Sequence, residues 1–141
     1  MDRVEYLLEA QRLVGRLLEL PALIRKVGER LTALRAERRA VERELKYREA
    51  QTYLAAEGRS AQEREASARV LLARDPEYQA LVKRLDQLHA AIDVATEEKN
   101  ALEHERKAIY GALVDRHAQA LEMALAQGLF GVRPPAPRGG N

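Results

Sequence analysis

The chain contains no cysteine and no tryptophan, and only one phenylalanine among its 141 residues. Without cysteine there can be no disulfide framework, no thiolate zinc site and no cysteine nucleophile. Aromatic residues make up 4% of the sequence, too few to fill a large globular interior. The glycines are scattered, so no glycine-rich loop is present to cradle a phosphate. No apolar run approaches the roughly 18 residues that a membrane helix needs, so no membrane partner is expected. The N-terminus, Met1-Asp2-Arg3-Val4-Glu5, lacks the basic-then-apolar profile of a secretory signal. Together these features predict a cytoplasmic location. The formal net charge is only +2, so whole-molecule charge says little about partners and its distribution says more.

What is abundant is Ala, Leu, Glu and Arg, the composition of long helices. An apolar stripe at helical spacing, Leu7, Leu8, Val14, Leu17 and Leu18, marks a first helix from about Val4 to Leu20. Pro21 suits the first turn of a new helix, where its missing amide costs nothing, so it predicts a helix start, a kink or both. From Pro21 to Glu57 the residues Ile24, Val27, Leu31, Leu34, Arg38, Val41, Leu45, Arg48 and Thr52 alternate spacings of three and four. That is a heptad seam, and a helix bearing one must pair with another helix.

Gly58-Arg59-Ser60 interrupts the pattern. Ser60 and Glu63 have capping-box spacing, opening a short helix from Ala61 to about Arg74. Asp75-Pro76-Glu77 then reads as an N-cap, a first-turn proline and a first-turn acid. The last helix should reach about Gln127, with Gly128 as its stop. Its seam is Tyr78, Leu81, Leu85, Leu88, Ile92, Ala95, Lys99, Leu102, Arg106, Ile109 and Leu113. The expected fold is therefore all-α: an elongated helical hairpin or coiled coil with a short connecting helix. Residues 1–131 would form a single domain. Residues 132–141, with three prolines and two glycines, would be a disordered tail.

Enzymatic signals are weak, and a non-enzyme without cofactor is expected. His89, His104 and His117 lie too far apart for the i, i+4 pair of a helical metal site. Asp93, Glu97, Glu98, Glu103 and Glu105 suit a solvated helix face better than a cation site. No Ser-His-Asp set occurs in a strand-turn-helix context.

The informative stretch is Arg35 to Arg48, in which six of fourteen residues are basic: Arg35, Arg38, Arg39, Arg43, Lys46 and Arg48. Guanidinium groups match phosphate in geometry and stack on bases. Tyr47 and Tyr53 are near enough in sequence to stack on unpaired bases as well. These six cations are the candidate nucleic-acid-binding residues. The alternative is that they pair with Glu37, Glu42, Glu44 and Glu49 on an ordinary solvated coiled coil. Lengthwise the charge is asymmetric: Pro21–Glu57 carries a net +3 and Glu77–Gln127 a net −3. Such opposite charge favours pairing of the two long helices.

The stretch Leu45-Lys46-Tyr47-Arg48-Glu49-Ala50-Gln51-Thr52-Tyr53-Leu54, followed by Glu57-Gly58-Arg59, resembles the DNA-binding region of the UvsY family of phage recombination mediators. The layout is similar too: a polar break, a short helix with Arg69-Val70-Leu71-Leu72-Ala73, an acidic turn at Asp75, then a long helix. The resemblance implies a single-stranded-DNA-binding, ring-like homo-oligomer. It also implies partners, a RecA-type recombinase and single-strand binding protein, and places the family's motif Lys and Arg on Lys46 and Arg48. A phage-encoded protein would act in the host cell cytoplasm. The last helix departs from the family's aromatic and glycine-rich character, and the proline-rich tail has no counterpart in it. A structural coiled-coil scaffold or adaptor, with no nucleic-acid role, is the competing reading. A helical inhibitor that mimics nucleic acid ranks third, because a +2 chain with a basic stripe is a poor mimic.

Overall fold

A computed structural model describes residues 2–126. Within them the chain forms three helices and no strand: α1 (Arg3–Ala55), α2 (Ala61–Arg74) and α3 (Pro76–Ala126). The expected stop at Gly128 and the expected tail at 132–141 lie outside the described residues. None of the three helices is long and apolar enough to cross a membrane.

No helix starts at Pro21, which lies inside α1. A mid-helix proline removes one backbone hydrogen bond and crowds the preceding turn, at about 3 kcal/mol. Leu20, Val27 and Leu31 are all buried along the same helix. At about 1.5–3 kcal/mol for each buried side chain, their packing outweighs that cost.

The chain divides into two compact units. Unit 2 is Ile24–Asn100, and unit 1 draws on Met1–Leu23 and Ala101–Asn141. In unit 2 the predicted seams hold at every position: Ile24 to Thr52 on α1 and Tyr78 to Lys99 on α3 are all buried or half-buried. Val41, Leu45 and Leu88 form the core, with Leu34, Tyr78, Leu81, Val82 and Leu85 packed against it. Cross-helix pairs descend on α3 as they ascend on α1: Arg30 with Glu98, Glu37 with Arg84, Arg48 with Glu77. The two helices are thus antiparallel, as a hairpin requires.

The turn signals also hold. The Ser60 hydroxyl accepts the Glu63 amide at 3.1 Å, and the Glu63 carboxylate reaches back to the Arg59 amide at 2.8 Å. Asp75 caps α3 by accepting from the Glu77 and Tyr78 amides at 3.0 and 3.3 Å. Gly58 is required by close approach: a Cβ there would meet the Arg64 amide nitrogen at 2.8 Å and the Glu63 Cβ at 2.9 Å.

Unit 1 corrects the first apolar stripe. Leu7, Leu8, Val14 and Leu18 are exposed; of the expected stripe only Leu17 turns inward, together with Tyr6, Leu13 and Leu20. Polar pairs hold this phase. The Tyr6 hydroxyl donates to the Arg116 carbonyl at 2.8 Å. The Arg116 guanidinium lies 5.8 Å from the centre of the Tyr6 ring and pairs with Glu9 at 2.6 Å. Arg16 forks onto both oxygens of Glu105 at 2.6 and 3.0 Å. Arg106, expected in the α3 seam, is exposed, because its neighbour Glu105 turns inward to meet Arg16. The outer faces of both helices of unit 1 remain apolar. Val4, Leu7, Val14 and Leu18 on α1, and Tyr110, Val114 and Leu121 on α3, all face solvent.

Candidate nucleic-acid interface

All six candidate cations lie on the α1 part of unit 2, and the fold sorts them into two groups. Arg38 and Arg48 occupy seam positions and are half-buried. The Arg38 stem packs while its head reaches toward water. Arg38 lies 3.9 Å from Glu42. Arg48 is clamped. It pairs with Glu77, lies 3.4 Å from Asp75 and 3.4 Å from Glu44. The hydrogen bond to Glu77 holds its proton more tightly than usual, opposed by partial desolvation. Arg48 therefore ties the end of α1 to the capping residue of α3. The motif's arginine is occupied by carboxylates, while its lysine, Lys46, is not.

Arg35, Arg39, Arg43 and Lys46 are exposed. Among the described residues none of them takes part in an ion pair. At 3.6 residues per turn these four side chains fall within a sector of about 80°. None of the five acids between Arg25 and Leu54 lies in that sector.

The reason is where those acids go. Glu37 accepts from Arg84 at 2.6 and 2.9 Å. Glu42, four residues before Lys46, faces Arg38. Glu44 faces Arg48. Glu49 accepts the Tyr78 hydroxyl at 2.8 Å, which together with partial burial raises that phenol's pKa. Glu37, Glu44 and Glu49 are thus engaged elsewhere, while Glu42 lies beside Arg38 without a hydrogen bond.

The uncompensated strip has a cost to the helix. Arg35–Arg39 and Arg39–Arg43 are like-charge pairs at i, i+4, each destabilising by about 0.2–0.5 kcal/mol. Consecutive four-residue steps rise about 6 Å, close to the step between phosphates on an extended strand. Toward the start of unit 2 the surface dips into a shallow groove at Gly28, Thr32 and Ala36. Arg25 and Lys99 add cations to it, and Glu29 an acid.

Sequence reasoning assigned the cation types but not this sorting. It also missed Asp75 and Glu77 as partners of Arg48; their position just past the short helix was the only hint. Among the described residues no group of His, Asp and Glu side chains is arranged to hold a metal ion. Comparison with protein-family models, with curated proteins and with solved structures finds no match for this chain.

Proposed function

We propose that this protein binds single-stranded DNA through Arg35, Arg39, Arg43 and Lys46 and serves as a recombination accessory. One observation carries the reading: four aligned cations take part in no ion pair among the described residues, while Glu37, Glu44 and Glu49 beside them are turned to other partners. Such a strip contacts phosphates and carries no base-edge readout, so binding is sequence-tolerant and strongly salt-dependent. Arg48 serves the fold and holds the strip's helix in place. Self-association, with a second copy covering the apolar outer faces of unit 1, multiplies a weak site into a firm one. The resemblance to UvsY-type mediators supports the wider role: helping a RecA-type recombinase onto strands covered by single-strand binding protein.

The test is fluorescence anisotropy with a labelled oligo-dT across a salt series. Four phosphate contacts on a single strand give a log–log slope of roughly −3. Arg39→Glu with Arg43→Glu should weaken binding at least about tenfold at low salt and flatten the slope, with helicity unchanged by circular dichroism. Wild-type binding that ignores salt, or a folded double variant that binds as wild type does, would make a plain coiled-coil scaffold the better account.

A further inference from the structure

Beside the cation strip lies a second feature that phosphate binding leaves unexplained. Tyr47 is 59% exposed and Leu54, two turns further on, is 83% exposed. Neither side chain packs against the helix partner, so both are open to a ligand. Helical geometry places both in the sector adjoining Arg43, with Ala36 and Ala40 upstream in the same sector. The Tyr47 ring is not a free rotor: Gln51 Nε2 donates to its hydroxyl at 2.8 Å, one turn along the helix. The result is an oriented aromatic face next to Arg43 and Lys46, with only small side chains leading up to it. Tyr53, 39% exposed, closes the strip itself seven residues after Lys46.

We infer that Tyr47, backed by Leu54, is a base-stacking platform that makes the strip selective for strands with unpaired bases over duplexes and base-free polyanions. This rests on the phosphate-binding reading above and adds the ligand's second half. The physical argument is one of adjacency. Phosphates on Arg39, Arg43 and Lys46 leave the bases of a single strand free to turn sideways. The neighbouring sector there is uncharged from Tyr47 to Leu54 and offers a ring face. A duplex keeps its bases stacked inside and gains nothing from such a ring. A base-free strand gains only the phosphate contacts. Stacking of one base on one aromatic face is sequence-tolerant, so the selectivity is for strandedness and not for sequence.

The experiment uses the full chain and three labelled ligands of equal length: oligo-dT, the matching duplex, and a base-free deoxyribose-phosphate strand. Affinities are measured at one low salt concentration and across a salt series. Wild type should bind oligo-dT about tenfold tighter than the base-free strand. Tyr47→Ala should close most of that gap without changing the salt slope, and Tyr47→Phe, which keeps the ring face but loses the Gln51 hydrogen bond, should retain part of it. Equal affinity of wild type for oligo-dT and the base-free strand overturns the stacking platform while leaving the phosphate strip standing. A preference that survives Tyr47→Ala also overturns it. Absence of salt-dependent binding to all three ligands overturns both readings.

Discussion

The two units are unfinished in opposite ways. Unit 2 closes its apolar seam: Leu31, Leu45, Leu88 and Ile92 are buried, and heptad positions point inward along both helices. Yet it leaves four aligned cations without acids. Unit 1 does the reverse. Its inward cations, Arg16 and Arg116, are matched to Glu105 and Glu9, while Leu7, Leu18 and Val114 stand in solvent. An exposed apolar face is relieved by burying it; an uncompensated cationic face is relieved by an anion. Under the function proposed above, the contrast corresponds to different partner chemistry for each region: apolar contact for unit 1, polyanion contact for unit 2.

The largest expected effect tests the apolar half of this contrast. Leu88→Ala removes a nearly fully buried side chain from the unit 2 core. It should cost about 2–5 kcal/mol in chemical denaturation. Leu18→Asp, at a site 75% exposed, should leave helicity intact but lower the mass measured by light scattering at high protein concentration. If Leu18→Asp unfolds the chain, or if its mass matches wild type's, the outward face of unit 1 is not where copies meet.

A pH series sharpens the electrostatic half. The Arg16 hydrogen bonds hold Glu105 below the ordinary carboxylate value of 4.5, and those of Arg116 do the same for Glu9. Both groups bind a proton less readily when folded than when unfolded. Their contribution is present above pH 4.5 and is lost as pH falls through the lower folded values. Thermal melts should show Glu105→Gln less stable than wild type near neutrality, with the gap closing under acid. A gap that stays constant down to pH 3, about 1.5 units below the ordinary value of 4.5, would mean the Arg16 pair contributes only through packing.

The smallest effect has an unusual sign. Arg39→Glu replaces two like-charge neighbours with two opposite-charge pairs, to Arg35 and Arg43. It should raise stability by about 0.8–2 kcal/mol even as strand affinity falls. A variant that loses binding while gaining stability separates a surface kept for a ligand from one kept for the fold. A fall in melting temperature would reverse that assignment.

Much of unit 2 was legible in the sequence because its signals are local or strictly periodic. Ile24 to Thr52 could be phased from spacing alone, and Ser60 and Asp75 act within three residues of themselves. Residues 4–20 were not, because that segment carries two apolar stripes. Leu7, Val14 and Leu18 compete with Tyr6, Leu13 and Leu20, with Leu17 shared between the two readings, and periodicity gives no reason to prefer either. The choice is made by Tyr6 with Arg116 and Arg16 with Glu105, residues 110 and 89 positions apart. The interface was half legible for the same reason. Residue type marked Arg35 to Arg48 as basic. Which of them stay free depends on Arg84, Tyr78, Asp75 and Glu77 drawing carboxylates and one guanidinium away, across the hairpin.

Gly58 carries a consequence for how this polypeptide tolerates change. Where α1 gives way to α2, the only thing between two stretches of backbone is a hydrogen atom, and even one added methyl would collide with the amide of Arg64. The reversal of the chain is thus set by an omission, a corner with no slack in which the smallest possible enlargement must push main chain apart. Gly58→Ala would therefore do harm out of proportion to its size.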